Sequence, residues 1–595
     1  MLLFAGEPHH DGSALYVSEL APSLGSRVTV RLRAPRAAGV TAVHVRTVED
    51  GEPRYTEAAV DELRTSSDVT GYGPDDVWWQ AEITVVNPVT RYRFLLLTAR
   101  GQAWLTAGGL VAHDLTDDTD FRLVADEPPP SWMADAIVYQ IFPDRFGRPG
   151  ASRPLPDWAL PRDWDRDPVI PSGPGTSQQF YGGDLDGVVR HLDHVQALGA
   201  DTVYLTPIFP ARSNHRYDAA AFDRIDPLLG GEEALRRLGD AVHERGMRLL
   251  GDITTNHCGD THPWFTAAVS DVNAPEREMF FFDPDTGDYE AWFGVKTLPK
   301  LNWRSDLVRS RVPAVLRRWL GPLDGWRVDV ANMTGRHGAD DLTHEVAALL
   351  RRELGPGVAL VAEHSHDATG DLDRGGWHGT MNYGGFTRPV WTWLRGPGLD
   401  LPQFLGVPGG VPARDGTAAL AAVRSFAARM SWRSLVHSWQ LLDSHDTPRI
   451  RTVTGSRALH LVALGLQATL PGTPMVFAGS EFGLTGVNGE HARTPMPWER
   501  PADQDLATLA AYRELFGLRR AEPALRHGGL RWLHADADHL VFARESEAET
   551  LLVSARRAPG DPLPLPGPAT PVYNTSDTNT IPGDGPALRI WRLTR

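Results

Sequence analysis

The sequence predicts an α/β protein: a (β/α)8 barrel flanked by an N-terminal β-sandwich and a C-terminal all-β domain. Three observations predict it. From Ser131 onward, eight short apolar runs alternate with amphipathic stretches; before residue 127 the pattern alternates at period two; and after Gly528 β-like runs return. A chain of 595 residues is too long for one core, so several domains are expected.

Residues 1–127 read as the sandwich. Val28-Thr-Val30-Arg-Leu32 and Tyr92-Arg-Phe94-Leu-Leu96 alternate apolar and polar, Gly/Pro/Asp turns separate such runs, and no long amphipathic helix interrupts them. About seven to nine strands would fill this length. Glu127-Pro128-Pro129-Pro130 is a stiff linker. Residues 131–527 then carry the eight runs: Ile137–Phe142, Thr202–Leu205, Arg248–Ile253, Gly325–Asp329, Val358–Glu363, Gly379–Asn382, Trp439–Asp443 and Pro474–Ala478. Helical stretches such as Glu232–Glu244 and Thr343–Leu354 lie between most of them. No Gly-x-Gly-x-x-Gly follows the first run, which argues against a doubly wound sheet. The stretch 257–304 is too long for a simple loop and reads as a small insertion after strand three. Residues 528–595, with His539–Ala543 and Thr550–Ser554, read as the second β domain.

Composition narrows the function. The net charge of −16, from 59 basic and 75 acidic groups, argues against nucleic acid or an anionic membrane as partner and is silent about a neutral ligand. Trp faces can stack on sugar rings, and the chain has 19 of them against 12 Tyr, although packing accounts for most. A single cysteine, Cys258, excludes an intrachain disulfide and a multi-cysteine metal site. As a nucleophile beside His257 it lacks a second His/Asn constellation. The N-terminal residues carry no basic region with a long apolar stretch, and no segment approaches the ~20 apolar residues of a membrane helix. A cytoplasmic protein is expected.

Five polar clusters follow strand-like runs: Asp252-Ile-Thr-Thr-Asn256-His257, Leu298-Pro-Lys-Leu-Asn302, Gly325-Trp-Arg327-Val-Asp329, Glu363, and Ser444-His445-Asp446. In a barrel these positions meet at the C-terminal mouth. Arg327 and Asp329, two apart on one strand, face the same way, so the arginine favours the ionised carboxylate that a nucleophile needs. Glu363 emerges from an apolar strand, where desolvation and the like charges of Asp329 and Asp446 would raise its pKa toward that of a general acid. Three carboxylates, two histidines and an arginine so placed can hydrolyse a sugar acetal, with Asp446, His257 and His445 holding hydroxyls. Each group also has a structural reading. Asp252 can cap its loop through bonds to Arg327 or Tyr139, and Asn256 can organise the same loop.

In order and spacing these residues resemble the four sequence regions of the alpha-amylase superfamily, glycoside hydrolase family 13, from Trp132 to about Trp498. The resemblance implies Asp329 as nucleophile, Glu363 as acid/base and Asp446 as the third carboxylate, with Arg327, His257 and His445 beside them. Tyr217, in Asn214-His-Arg-Tyr217-Asp218, matches the tyrosine that stacks on the sugar at the cleavage site. Asn302, Tyr139, Asp252 and Arg449 complete the candidate substrate-binding set. Gly-Trp-Arg-Val-Asp-Val-Ala-Asn332, Leu-Pro-Lys300-Leu-Asn, Tyr139-Gln-Ile-Phe-Pro-Asp-Arg-Phe146 and Tyr181-Gly-Gly-Asp-Leu-Asp-Gly187 resemble the neopullulanase, cyclomaltodextrinase and maltogenic amylase group. That group implies an N-terminal domain related to carbohydrate-binding module family 34, a homodimer through that domain, and action on cyclodextrins, maltodextrins and sometimes pullulan.

The chain departs from the group in three places. Met333 stands where a Glu associated with transfer to sugars is usual, and His364-Ser365-His366 where an aromatic lines the acceptor side. The loop Gly147–Pro154 lacks the Asn/Asp cluster that binds calcium in several relatives, leaving only Asp184 of that site. Calcium is therefore disfavoured at this site, and no cofactor is required. The expected activity is retaining hydrolysis of α-glucosidic bonds, mainly α-1,4 and extending to α-1,6, in short linear, cyclic or branched maltooligosaccharides. An exo-acting α-glucosidase and a glucanotransferase remain as alternatives; a sugar-binding protein on an inactive barrel is disfavoured because all the carboxylates are present.

Overall fold

The structure is a computed structural model describing residues 3–4, 6–66, 75–148, 150, 153–575 and 579–594. Nine strands lie between Arg27 and Val124 among these residues. Arg27–Pro35 pairs antiparallel with Asp76–Thr84, and Val40–Glu49 pairs with Val89–Thr98 in a second sheet. Their inward residues, Val28, Val30, Leu32, Val43, Val45, Phe94 and Leu96, form one buried core, as the period-two alternation requires.

The predicted barrel is present and closed. Its strands are β1 (Val138–Ile141), β2 (Thr202–Leu205), β3 (Arg248–Thr254), β4 (Gly325–Asp329), β5 (Ala359–His364), β6 (Gly379–Asn382), β7 (Trp439–Leu441) and β8 (Thr473–Phe477). They pair in parallel in that order, and β8 returns to β1. Val138, Tyr204, Leu250, Val361, Met381, Trp439 and Met475 pack together in the barrel interior. Alternate residues such as Tyr139, Val203, Leu249 and Val328 belong to the outer layer beneath the helices. The helix Gly231–Glu244 shows the matching pattern: Ala234, Leu235, Leu238 and Val242 are buried at helical spacing, with Glu232 and Glu233 at its positive end. Gly325, which opens β4, lies so close to the carbonyl of Ala359 on β5 that a Cβ there would collide with it. That glycine serves strand contact rather than chemistry.

Between His257 and Ser305 the chain makes an excursion containing the helix Pro263–Ser270. A single bridge from His257 to Lys300 ties it back to the end of β3, and another from Ala291 to Pro299 closes its own turn. At the C-terminus five antiparallel strands, Gly529–Ala535, His539–Glu545, Thr550–Arg556, Ala587–Leu593 and Ala569–Tyr573, form a sheet in that spatial order.

Candidate active site

Alternation along β4 decides which side chains reach the barrel mouth. Trp326 turns outward and donates its Nε1–H to Leu316 O at 3.3 Å, so Arg327 and Asp329 turn inward. In the strand register Arg327 stands beside Asp252 of β3, and Val328 beside Ala362 of β5. Asp329 and Glu363 therefore end adjacent strands at the same level.

One buried guanidinium organises the centre. Arg327 Nη1 donates to both oxygens of Asp252, each at 3.0 Å, and to Asp329 Oδ1 at 2.9 Å. Its Nη2 lies 3.0 Å from Glu363 Oε2, which also accepts the Val330 N–H at 2.8 Å. Burial opposes the charge on Arg327, but Asp252, Glu363, Tyr204 and Tyr217 together outweigh burial and move its pKa up. Burial, followed by the charge of Glu363, pushes the Asp329 carboxyl well above the ordinary aspartate range despite Arg327. The sequence expectation that the arginine would set this pKa has the right sign for that pair, but desolvation is the larger effect. Asp252 is pushed up to about 6, chiefly by burial. It has no solvent exposure and accepts Tyr204 Oη at 2.5 Å and Tyr217 Oη at 3.0 Å. It is thus a support for Arg327 and the two tyrosines, with no surface left for a ligand.

Asp446, in the loop after β7, is the most open of the three carboxylates, its side chain 38% exposed against 10% for Asp329 and 13% for Glu363. Its oxygens lie 3.1 Å from His445 Nε2 and from Arg493 Nη2. Burial works to raise its pKa, and the interactions with His445, then Arg493 and Arg327, more than reverse this, leaving it lowered. His445 itself is lowered to about 3 by burial, so at neutral pH it is uncharged and Arg493 supplies the fixed positive charge. Gln140 Nε2 meets His445 Nδ1 at 2.8 Å, and Tyr217 Oη meets Nε2 at 2.6 Å with the two rings stacked. His257 Nε2 lies 4.0 Å from Asp329 Oδ2 and has no hydrogen-bond partner. Burial, then Lys300, lowers its pKa to about 3. This leaves an uncharged imidazole edge free for a hydroxyl. Asn256 is held by Lys300, whose Nζ also donates to Met333 O at 3.2 Å.

The structure brings together Asp329, Glu363, Asp446, Arg327, His257, His445, Tyr217 and Asp252. It does not bring Tyr139, Asn302 or Arg449 to the cleft. Tyr139 occupies an outward parity on β1 and donates to Glu481 Oε1 at 2.6 Å, which also meets His194 Nε2 at 2.9 Å; it is fully buried, and Gln140 takes the inward place. Asn302 donates to Glu278 O and accepts from Arg304 N, each at 3.0 Å, closing the excursion. Arg449, with no exposure, donates to the carbonyls of Phe477, Ala478 and Ala492 and so clamps the segment after β8. Cys258 is buried, and burial drives its pKa up, the reverse of an activated thiol. His364 is also buried, 3.5 Å from Asp371, which Arg336 grips with two bonds.

Gln140, Tyr204, Arg493 and Val330 were missed by motif reading. Strand parity alone would have found Gln140 and Tyr204. Arg493 arrives from a loop distant in sequence. Val330 adopts φ +36°, a left-handed conformation that a β-branched residue rarely takes, and it aims its N–H at Glu363. As for calcium, Pro149, Ala151 and Ser152 of the loop in question lie outside the described residues. Asp184 accepts the Gly187 N–H at 2.8 Å and the guanidinium of Arg153, so the described donors do not fit a cation there.

Carboxylates on adjacent strands sharing one guanidinium at the C-terminal mouth of a (β/α)8 barrel form an arrangement that can cleave a glycosidic bond, and the chain's relatives are glycoside hydrolases. The alpha amylase catalytic domain family matches residues 140–353 and 416–515. A cyclomaltodextrinase of Bacillus sp is 31% identical over 511 residues, covering 80% of this chain and 83% of that relative. Neopullulanase 2 of Thermoactinomyces vulgaris is 32% identical over 427 residues, 70% of this chain and 67% of that one. The type III pullulan hydrolase from Thermococcus kodakarensis superposes with a TM-score of 0.73 at 26% identity, covering 98% of this chain and 99% of the other. The chain belongs to the alpha-amylase family.

Proposed function

We propose that this protein hydrolyses α-glucosidic bonds with retention, mainly α-1,4 and extending to α-1,6, in short linear, cyclic or branched maltooligosaccharides, in the manner of a cyclomaltodextrinase or neopullulanase. The observation that carries this reading is the sharing of Arg327 between Asp329 and Glu363 on neighbouring strands. Strands lie about 4.8 Å apart, which suits the ~5–5.5 Å spacing of a nucleophile and acid/base pair better than the wider gap that admits a water. The cyclomaltodextrinase and neopullulanase relatives support the substrate class.

In the first step an Asp329 oxygen bonds to the anomeric carbon as the glycosidic C–O bond breaks, and Glu363 gives its proton to the departing oxygen. In the second, water bonds to the same carbon, its proton passes to Glu363, and the ester to Asp329 breaks. Asp446 and His257 hold hydroxyls of the ring between them, and Tyr217 lines the floor. No cofactor takes part. We place the protein in the cytoplasm, in keeping with its one buried free thiol; no helix of the described residues is long and apolar enough to cross a membrane. By analogy with the group it resembles, we assign it a homodimer built through the N-terminal domain.

A time course of products from β-cyclodextrin and maltotriose tests the reading, with NMR of the first-formed anomer. Ring opening to maltooligosaccharides with the α anomer formed first is the expected result. An intact ring with glucose released from maltotriose would replace it by an exo-acting α-glucosidase, and a β anomer would overturn retention.

A further inference from the structure

A cavity of about 250 Å³ lies where all three domains meet, and none of the active-site residues lines it. Arg122 and the turn Leu105–Leu110 wall it from the N-terminal domain. Arg424 and Trp432 come from the two helices between β6 and β7, Gly416–Ala427 and Trp432–His437. Arg531 and Trp532 come from the first strand of the C-terminal domain. Phe4 and Glu7–Gly12 line a further side, with Phe4 N–H donating to Leu533 O at 2.9 Å and His9 bridging to Arg33. The charges on these walls are unevenly matched. Arg122 has Asp373 at 3.5 Å, and Asp11 spends its two oxygens on the N–H groups of Ser13 and Leu530, at 2.8 and 2.7 Å. Arg424 is different. Its guanidinium is half-buried, stands 4.8 Å over the Phe4 ring, and makes no hydrogen bond or ion pair among the described residues. The acidic group that acts on it, Glu7, is exposed.

A guanidinium keeps its proton at any physiological pH, so one drawn away from water without a partner presents its donors to an anion. Arg531, buried on a neighbouring wall, adds a second positive charge. Charge alone would suit any small anion, but the remaining walls narrow the choice. Trp432, Trp532 and Phe121 line the cavity and are buried, giving flat apolar faces on which the C–H side of a ring can pack. The volume falls below the ~300–1,000 Å³ of sites for drug-sized ligands. That leaves room for one ring and one charged substituent. We propose that this junction is a binding site for a hexose monophosphate, separate from the catalytic cleft. The phosphate sits on Arg424 and Arg531, the ring packs against Trp432 and Trp532, and the ligand ties the three domains together.

Isothermal titration calorimetry of the full chain with glucose 6-phosphate, glucose and inorganic phosphate tests this. Glucose 6-phosphate is expected to bind once per chain, with glucose and inorganic phosphate each at least about tenfold weaker. Arg424→Met keeps the aliphatic stem and removes the charge. It should weaken glucose 6-phosphate roughly ten- to hundredfold, the size of a hydrogen bond to a charged group, and leave turnover of β-cyclodextrin unchanged. A melting curve shows that the variant folds, and Ala427→Phe, which fills the cavity from the helix Gly416–Ala427, gives an independent reading: it should abolish binding. Absence of binding to the unaltered protein would overturn the proposal, as would binding that survives in both variants, which places the ligand elsewhere. Inorganic phosphate held as tightly as glucose 6-phosphate would reduce the cavity to a plain anion site, and glucose held as tightly would remove charge from the recognition; either result also overturns it. The titration reads out whether or not the protein cleaves β-cyclodextrin, so its failure is distinguishable from failure of the catalytic reading.

Discussion

At the residue scale, burial and charge assign separate duties to groups that look alike in sequence. Asp329 and Asp252 are both pushed up by burial, yet only Asp329 retains a face toward the cleft. Asp329→Asn and Glu363→Gln should each lower kcat by at least ~10²–10⁴-fold, since each removes a reacting group. Near-normal turnover of β-cyclodextrin by either variant would refute the assignment. The same raised pKa has a stability consequence. A carboxyl whose folded pKa lies above its unfolded value favours the fold below that unfolded value, and the contribution is lost as pH rises through the folded one. Asp329→Asn should therefore melt higher than wild type at pH 7, and the gain should shrink toward pH 4, as a calorimetric series would show. Tyr139 gives the opposite contrast. Tyr139→Phe, which removes one of the bonds to Glu481 and leaves those from His194 and Gly479, should destabilise by about 1 kcal/mol and leave KM untouched; a raised KM would return Tyr139 to the cleft.

At the scale of elements, the contact between β4 and β5 sets the spacing on which the chemistry depends. Gly325 permits the close approach of these strands, and the Val330 backbone just beyond Asp329 fixes Glu363. Gly325→Ala should force the strands apart at their start, destabilise by about 1–3 kcal/mol, and lower kcat more than it raises KM. Steady-state kinetics on maltoheptaose with a melting curve would check both parts; an unchanged kcat would mean that the shift is absorbed before it reaches Asp329. The acid limb of the kcat/KM profile belongs to this scale too, because the Asp329 carboxyl is raised by burial in the closed barrel and by the charge of Glu363 on the adjacent strand. With Asp329 raised, and required as the anion, activity should fall on acidification with a midpoint above the 3.8 of an ordinary aspartate.

At the scale of the whole molecule, the N-terminal and C-terminal β domains meet each other as well as the barrel. Arg33 of the first domain and Glu545 of the last form a contact at 3.2 Å with neither side chain exposed. Arg122 reaches Asp373 of the barrel at 3.5 Å. Removing Glu545 takes one carboxylate from a buried guanidinium that Asp76 also contacts at 3.3 Å, at about 1.5–3 kcal/mol. Glu545→Ala should lower the melting temperature and expose the linker near Glu127 to protease, while retaining activity at temperatures below the transition. A melt and cleavage pattern identical to wild type would show that the domains are held by other contacts.

The barrel was legible in the sequence because each of its eight strands is a short apolar run followed by a polar cluster, and the helix Thr343–Leu354 falls where its pattern placed it. Asp329, Glu363, Asp446, Arg327, His257, His445 and Tyr217 were legible because local order places them at strand ends or in the adjoining loops. Tertiary structure decided what strand parity and distant loops control. It turned Tyr139 outward and Gln140 inward, drew Arg449 into a carbonyl clamp, brought Arg493 from a remote loop to Asp446, and set Arg424 against a cavity between the three domains. It also decided the electrostatics: a motif shows which charges are neighbours, but the desolvation that outweighs Arg327 at Asp329 depends on how much of the closed barrel surrounds that carboxyl.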